Sequence, residues 1–196
     1  MRKSRIVIGI FCLFLTMGAC SERKVQPKET AKNFGTANFP GTDEGAHQLL
    51  LQFLQAGMDK EVLTKLLRPS TQDFKLVFSP EVAAKVEEAY RQPWEEGKIV
   101  IHGQPGETEL LLGSATTEEL QRQSGNAQYF PLGYAKAAPY FNGGLRIYYF
   151  KFVRPGDSKG FAWDGLIYVN GHWAFFPQPW RVIPGLVINV SAPAGQ

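Results

Sequence analysis

The strongest structural signal in this chain lies in residues 144–181, which read GLRIYYFKFVRPGDSKGFAWDGLIYVNGHWAFFPQPWR. Two long strand patterns and one short strand pattern are separated by two turn signals, RPGD at 154–157 and Asn170-Gly171. Asn-Gly is the dipeptide best suited to a two-residue hairpin, because both turn positions need a positive φ. These residues therefore predict an antiparallel meander on which the rest of the chain packs.

Both faces of this predicted sheet are apolar. A turn at Asn170-Gly171 places Val169 opposite His172 and Leu166 opposite Phe175. A half-solvated sheet alternates apolar with polar residues, so we expect both faces to be covered, one by helices and the other by a partner subunit, a ligand or the sheet's own curvature. Period-two alternation assigns one face to Phe161, Trp163, Ile167, Val169 and Phe176, and the other to Ala162, Leu166, Tyr168, Trp173 and Phe175.

Asp164 interrupts this apolar run. A carboxylate is costly to bury without a partner, so Asp164 is the first candidate for a functional site. Together with Arg146, Tyr148 and Tyr168 on neighbouring strands, it forms the predicted ligand pocket. In such a pocket Asp164 is the one candidate for a catalytic acid or base, or it simply pairs with Arg146 or a tyrosine hydroxyl. The structural explanation is favoured, because neighbours commonly satisfy an isolated carboxylate in a sheet.

The first 19 residues have the pattern of a secretory signal, with a basic start, an apolar core too short to span a bilayer, and small residues at the end. Residues 17–21, MGACS, resemble the lipobox of bacterial lipoproteins, with Met17 where Leu is usual. This resemblance implies cleavage before Cys20, a lipid on Cys20 and attachment to a membrane of the bacterial cell envelope. Ser21 is compatible with the periplasmic side of the outer membrane in a Gram-negative cell. The alternative is an ordinary cleaved signal.

Removal of the signal changes the cysteine and charge counts. Cys12 is lost with it, so the mature chain has one cysteine, at its first residue, and no internal disulfide. Three of the 21 Lys and Arg residues are also lost and no acidic residue, which leaves 18 basic against 18 acidic side chains. A formally neutral chain gives no reason to expect nucleic acid as a partner. No His or Cys spacing suits a metal and no dinucleotide fingerprint is present, so neither metal nor cofactor is predicted.

The mature chain divides into two parts. Residues 20–43 have mixed charge with Gly, Pro and Thr, and they predict a lipidated flexible tether. Residues 44–196 have the length of one α+β domain. This domain is predicted to begin with three helices that cover one sheet face. The first runs from Glu44 to about Gly57, the second is capped by Asp59, and the third starts with Ser79 as N-cap and ends around Pro93.

The middle of the domain is less regular. Residues 98–102 and 109–112 alternate as strands, and Thr116 with Glu119 has the spacing of a capping box for a short helix. Residues 124–144 mix five aromatic residues with Gly and Pro, which predicts either a strand with irregular flanks or a long loop. We expect these aromatic rings to fill the core rather than to line a cavity.

Residues 156–160, GDSKG, match the G-x-S-x-G nucleophile elbow of hydrolases. That motif needs a helix after its serine, whereas a strand pattern follows Ser158, so we expect a polar hairpin loop without hydrolase function. His172, next to the Asn170-Gly171 turn, is expected to be exposed to solvent.

The order of elements completes a second resemblance. Helices followed by a strongly curved antiparallel sheet, closing in DGLIYVNGHWAFF at 164–176, are similar to the NTF2-like, or cystatin-like, cone over about residues 44–183. Proteins of this superfamily include isomerases and hydratases, non-catalytic binding domains, and dimers joined through the outer face of the sheet. Fold therefore does not specify function.

Three functions follow from these patterns. The favoured one is a lipid-anchored envelope protein whose domain binds a small ligand or a protein partner without catalysis. The first alternative is an enzyme of the isomerase or hydratase type that uses Asp164 in an apolar pocket. The second is a structural subunit of an envelope assembly, joined to an envelope protein or to a second copy through its sheet face.

Overall fold

The predicted meander is the centre of the protein. The computed structural model describes residues 35–186. It contains one four-stranded antiparallel sheet in the order β1-β2-β3-β4, which does not close on itself. The combination of helices with this sheet confirms the predicted α+β class. The strands are β1 (Glu109–Thr116), β2 (Arg146–Val153), β3 (Gly160–Val169) and β4 (His172–Phe175).

The predicted signal, the lipidation site at Cys20 and residues 20–34 of the tether lie outside the described residues, as do residues 187–196. In the part of the chain that the structure describes, no helix is long and apolar enough to cross a membrane.

Short helices surround the sheet. The first predicted helix ends at Leu51 rather than near Gly57, and a 3₁₀ turn at Gln52–Leu54 follows it. Its apolar side chains Ala46, Leu49 and Leu50, with Phe53 of the turn, are completely buried. Asp59 caps the second helix, as predicted, by accepting hydrogen bonds from the backbone N–H groups of Glu61 and Val62 at 3.0 and 3.1 Å. The helices are α1 (Asp43–Leu51), α2 (Lys60–Lys65), α3 (Thr71–Val77), α4 (Ala83–Glu95), α5 (Thr117–Arg122) and α6 (Gly133–Ala137).

The third predicted helix differs from its prediction at both ends. Ser79 is not its N-cap, because the backbone of Ser79 is tied to Tyr140 by a 2.8 Å hydrogen bond and the chain first forms a turn. Helix α4 consequently begins at Ala83, and it continues through Pro93 to Glu95. Helix α3, which the sequence analysis missed, precedes it.

Residues 98–102 do not form the predicted strand. The Ile101 N–H donates to the Thr64 hydroxyl at 3.0 Å, and the His102 carbonyl accepts a 3.1 Å hydrogen bond from the Trp163 indole. Side chains thus take hydrogen bonds that a neighbouring strand would supply, and the segment runs as a strap between α2 and β3.

The capping box at α5 is confirmed: Thr116 and Glu119 exchange hydrogen bonds of 2.7 and 3.2 Å. The 124–144 segment is neither of the two predicted structures. It contains α6 between 3₁₀ turns at Gly125–Tyr129 and Ala138–Tyr140. A five-residue helix is too short to show a 3.6-residue period, which explains why the sequence pattern did not reveal it. Its role in the core is confirmed for Phe130, Tyr134 and Phe141, which are buried.

The hairpin register is confirmed, with Val169 opposite His172 and Leu166 opposite Phe175. The predicted assignment of faces is wrong, because a bulge interrupts β3. Tyr148 pairs with Leu166 but Tyr149 pairs with Asp164, which leaves Gly165 as the extra residue. The bulge shifts the alternation by one, so Phe161 and Trp163 share a face with Leu166 and not with Ile167.

One face of the sheet packs on the N-terminal part of the chain. The Tyr148 hydroxyl donates to the Asp43 carboxylate at 2.8 Å, and the Trp173 indole donates to the Phe39 carbonyl at 3.0 Å. Both aromatic side chains are buried. Residues before Glu44, where the sequence analysis placed the start of the domain, therefore already contact the sheet.

The opposite face packs on α3 and on the 124–144 segment. Phe130 contacts Tyr149 edge-on with ring centroids 5.0 Å apart, and Phe74 contacts Phe176 edge-on at 5.3 Å. Ile147, on the same face, is fully buried. The chain's own helices thus cover this face around Ile147, whereas Leu111 and Ala162 on the same face remain exposed.

Candidate functional site

The candidate site is built around Asp164, which is only 6% exposed. Its Oδ1 atom accepts two hydrogen bonds of 3.0 Å, one from the Tyr134 hydroxyl and one from the backbone N–H of Gln178. Neither of these bonds uses Oδ2. The carboxylate therefore joins β3 to α6 and to the segment after β4, and it keeps one oxygen for another donor.

Burial raises the pKa of Asp164 from its ordinary value of 3.8 to about 6, because a charged carboxylate is poorly solvated there. The Gln178 N–H, the Tyr134 hydroxyl and the positive charge of Arg181 oppose this shift. Burial also raises the pKa of Tyr134 and of Tyr90, and the nearby Asp164 charge adds to both shifts. Of these three side chains, Asp164 is consequently the one that loses its proton first, and its charge changes just below neutral pH.

Asp164 lines a cavity of about 270 Å³. The cavity lies where four parts of the chain meet: α4, the strap at 98–102, the start of β3, and the segment after β4. Its wall is mainly apolar, with two cationic side chains. The lining side chains that matter for ligand chemistry are Tyr90, Lys98, Ile99, Trp163, Arg181 and Val182.

Hydrogen bonds between these parts hold the cavity wall in place. The Tyr90 hydroxyl on α4 donates to the Pro177 carbonyl at 2.7 Å. The Trp163 indole N–H donates to the His102 carbonyl at 3.1 Å, and the His102 ring contacts Phe161 in a stacked arrangement at 6.1 Å. The wall is thus set by contacts between segments far apart in the chain: they hold α4 to the segment after β4, and the strap to β3.

The structure does not bring the four predicted pocket residues together. Arg146 is exposed, and its guanidinium donates to the Ser114 hydroxyl at 3.1 Å. Tyr148 lies on the other face of the sheet. Burial raises the pKa of its hydroxyl, and the hydrogen bond to Asp43 raises it further. Of the four residues, Asp164 alone lines the cavity, because the bulge at Gly165 shifts the strand alternation between it and Tyr148.

Tyr168, the fourth predicted residue, is half-buried against Trp173, with an edge-on ring contact of 5.3 Å. Its position on the Trp173 side of the sheet separates it from Asp164. Tyr168 therefore contributes to the packing of the N-terminal segment and not to the cavity.

Four residues of the site were not predicted from the sequence: Tyr134, Tyr90, Gln178 and Arg181. Tyr134 lies in the segment whose structure the pattern did not resolve. Gln178 contributes a backbone group, which no side-chain motif can reveal. Arg181 ends the PQPWR sequence directly after the hairpin, and this proximity to β4 was the one available signal.

Two other candidates are resolved by the structure. Ser158 lies in the β2–β3 loop and is followed by β3, so the predicted polar loop is confirmed. His172 is not the exposed hairpin residue that the sequence predicted. Its Nε2 atom lies 3.0 Å from Oδ2 of Asp73, a carboxylate with no exposed surface, because α3 packs beside the hairpin.

The residues from 35 to 186 hold no group of three or more His, Cys, Asp or Glu side chains that could bind a metal ion. No protein-family model, curated protein or solved structure matches this chain. The fold and the site therefore define only a class: an α+β domain with a four-stranded meander and one buried carboxylate in a small, mainly apolar cavity. Function has to be argued from the chemistry of that cavity.

Proposed function

We propose that this protein is a lipid-anchored protein of the bacterial cell envelope whose domain binds a small ligand, without catalysis, in the cavity at Asp164. The cavity itself is the observation that carries the proposal. Its volume of about 270 Å³ is near the lower end of the roughly 300–1,000 Å³ typical of ligand sites. An apolar wall with a few convergent polar groups is also the usual composition of such sites.

Binding is favoured over catalysis by the way the carboxylate is used. Both hydrogen bonds to Oδ1 come from this chain, from Tyr134 and Gln178, so Asp164 has a structural role even without a ligand. Acid–base catalysis usually pairs such a carboxylate with a second group of complementary protonation. The described lining of the cavity includes neither histidine nor cysteine.

Binding is tested by titrating the mature chain with a panel of small organic molecules and following the ¹⁵N–¹H NMR spectrum. We expect saturable shifts in the Trp163 indole N–H and the Gln178 backbone amide, because both lie at the cavity. In Asp164→Asn these shifts should need at least about tenfold higher concentration, since a charged hydrogen bond is lost. Asp157→Asn, in the exposed β2–β3 loop, is the matched control. Equal titrations in all three proteins would contradict a site at Asp164.

The membrane anchor is supported by the lipobox-like MGACS sequence at 17–21 and by the length of chain that follows it. Residues 20–34, as a flexible coil, would span on the order of 20 Å, so the domain would stay close to the membrane surface. We expect the full chain, made in a bacterium, to sediment with membranes and its N-terminal peptide to carry the mass of a lipidated Cys20. Cys20→Ala should move the protein to the soluble fraction. An unmodified wild-type N-terminus in the soluble fraction would contradict the anchor.

For the fold, we propose that the sheet belongs to an NTF2-like cone. The helices-first order supports this, as does the bulge at Gly165, since a bulge bends its strand and increases twist. An experimental structure with a flat sheet would contradict it.

Enzyme function is a second candidate because one observation favours it. An Asp164 pKa of about 6 suits a group that exchanges protons near neutral pH. Liquid chromatography with mass spectrometry of a bound compound after prolonged incubation separates the two candidates. Recovery of the unchanged compound supports binding, whereas a new peak of the same mass (an isomer) or of the mass plus one water (a hydrate) supports catalysis. The third predicted function, a structural subunit joined through its sheet face, stays a prediction: helices cover Ile147 on the second face, while Leu111 and Ala162 remain exposed there.

A further inference from the structure

We propose that the cavity at Asp164 takes a small zwitterion of the amino-acid type, whose ammonium group pairs with Asp164 and whose carboxylate pairs with Arg181. This inference rests on the proposed binding function and specifies its ligand. It follows from the combination of one acidic group, one available cationic group and an apolar wall around the same cavity.

Asp164 supplies the place for the ammonium group. Its Oδ1 atom is already held by the Tyr134 hydroxyl and the Gln178 N–H, which fix the orientation of the carboxylate. Oδ2 makes neither bond, and a carboxylate lining a cavity attracts a charged donor most strongly. An ammonium group is such a donor, and it also compensates the buried negative charge.

Arg181 supplies the place for the carboxylate. It ends the 3₁₀ turn Pro179–Arg181, and its side chain is exposed at the cavity. Its positive charge is near enough to lower the pKa of Asp164. The four ion pairs between described residues do not include it, so Asp164 and Arg181 face one cavity without a direct ion pair. The other cation of the wall, Lys98, is paired with Glu96.

The wall between these charges favours a ligand with an apolar body. Trp163, Ile99 and Val182 line the cavity, and the Trp163 N–H is already bonded to His102. A simple cation would meet Arg181 and Lys98, while a simple anion would meet Asp164. A molecule that carries both charges can pair with Asp164 and with Arg181. A singly charged analogue would leave one of these two side chains unpaired in the cavity, and the site therefore discriminates against it.

Three probes with one shared apolar body test the inference on the mature chain: L-leucine, 3-methylbutylamine, which lacks its carboxylate, and 4-methylpentanoate, which lacks its ammonium group. Binding is measured by isothermal titration calorimetry at pH 7.5, where Asp164 is ionised. We expect L-leucine to bind about tenfold to a hundredfold more tightly than either analogue, since each lacks one charged hydrogen bond.

Two variants separate the ends of the ligand. Asp164→Asn should weaken the binding of L-leucine and of the amine, and it should leave the affinity for the carboxylate analogue unchanged or increase it. Arg181→Gln should weaken L-leucine and the carboxylate analogue and spare the amine; because Arg181 is exposed, this variant keeps the test valid if Asp164→Asn fails to fold. Arg154→Gln, exposed in the β2–β3 loop and outside the cavity lining, is the control for the loss of one positive charge.

The outcomes distinguish this inference from the proposed function. If the three probes bind at Asp164 with similar affinity, or if the amine alone binds tightly, the zwitterion is wrong while a small-ligand site remains. If none of the three probes binds by calorimetry while the NMR panel still shifts cavity resonances, the zwitterion is wrong; if that panel also shifts none, the proposed function fails as well. A preference for L-leucine that survives both cavity variants would place its site elsewhere and overturn the inference.

Discussion

Asp164 has two roles at the scale of a single residue. It ties β3 to Tyr134 on α6 and to the backbone at Gln178, and its free oxygen lines the cavity. Ionisation of this buried group opposes folding, because desolvation raises its pKa in the folded protein. A buried carboxylate that weakens the fold when it is charged is therefore a candidate for a functional group, beside its structural hydrogen bonds.

The pH dependence of stability tests this description. A raised pKa means that the folded state binds the proton more tightly than the unfolded chain, so this contribution to stability is present below about pH 3.8 and is lost as pH rises through about 6. Asp164→Asn cannot ionise, so its unfolding free energy should rise relative to wild type by about 3 kcal/mol between pH 3.5 and pH 7. Urea unfolding at a series of pH values measures this difference. If the difference in unfolding free energy does not change with pH, or if Asp157→Asn shows the same change, the raised pKa does not belong to Asp164.

Asp73 is the second buried carboxylate, with no exposed surface. Its Oδ2 atom accepts 2.7 Å hydrogen bonds from the backbone N–H and the hydroxyl of Ser70, and lies 3.0 Å from Nε2 of His172. Asp73 thereby closes the capping box of α3 and links this helix to the β3–β4 hairpin. Its Oδ1 atom is buried without a hydrogen-bond partner among the described residues.

Removal of this carboxylate should be costly. Asp73→Ala loses the capping box and leaves Ser70 and His172 without their shared acceptor, so we expect a loss of about 2 to 4 kcal/mol in unfolding free energy. Asp59→Ala is the matched control, because Asp59 caps α2 with two local hydrogen bonds only and should cost about 1 kcal/mol. Chemical denaturation of both variants measures the comparison, and equal losses would show that the link to the hairpin contributes nothing.

At the scale of the element, the bulge in β3 determines what the sheet presents to the cavity. Gly165 has a φ of +92° and pairs with no residue of β2. A Cβ atom at this position would collide with the backbone carbonyl of Phe176, whose N–H donates to the Gly165 carbonyl at 2.8 Å. Glycine is therefore required both by the backbone conformation and by the close approach of the chain after β4.

Two glycine-to-alanine substitutions separate these causes. Gly165→Ala adds a collision to the strain of a positive φ, so we expect it to cost more than about 3 kcal/mol or to prevent folding. Gly171→Ala, at the hairpin turn, has a φ of +78° and nothing within 4 Å of the added Cβ, and it should cost about 1 kcal/mol. Thermal unfolding followed by circular dichroism compares the two. Similar melting temperatures would show that the bulge accommodates the added Cβ atom at little cost in stability.

At the scale of the whole molecule, the domain begins earlier than its helical pattern suggests. Phe39 accepts the hydrogen bond of the Trp173 indole, and Gly41 packs so closely on the Tyr168 ring that a side chain there would collide with it. Thr42 is the N-cap of α1, and its hydroxyl accepts a 3.1 Å hydrogen bond from Gly45. Residues 35–42 thus cover one end of the sheet face that α1 covers farther along.

Truncation tests where the domain starts. A chain that begins at Glu44 lacks the Thr42 cap, the Asp43 partner of Tyr148 and the acceptor of the Trp173 N–H. We expect it to lose about 3 to 5 kcal/mol relative to a chain that begins at Gly35. Urea unfolding measures both against the mature chain. If the two truncated chains are equally stable, the N-terminal contacts do not contribute to the fold.

Local chemistry explains what could be predicted from the sequence. The Asn170-Gly171 turn sets the register of β3 and β4, Asp59 caps α2, and Thr116 with Glu119 starts α5, because each of these features depends on a few neighbouring residues. The α+β class and the choice of Asp164 as the candidate group follow from patterns of the same kind. Residues 98–102 show the limit: their alternation fits a strand, but the backbone bonds to side chains from other elements instead.

The composition of the site depends on contacts that no local pattern contains. Tyr134 lies 30 residues before Asp164, and Gln178 lies 14 residues after it. The bulge at Gly165 becomes necessary only when the chain after β4 approaches it, and the bulge separates Asp164 from Tyr148. The sequence alone therefore identified the carboxylate, whereas tertiary packing chose its neighbours, because burial, charge and distance are properties of the assembled fold.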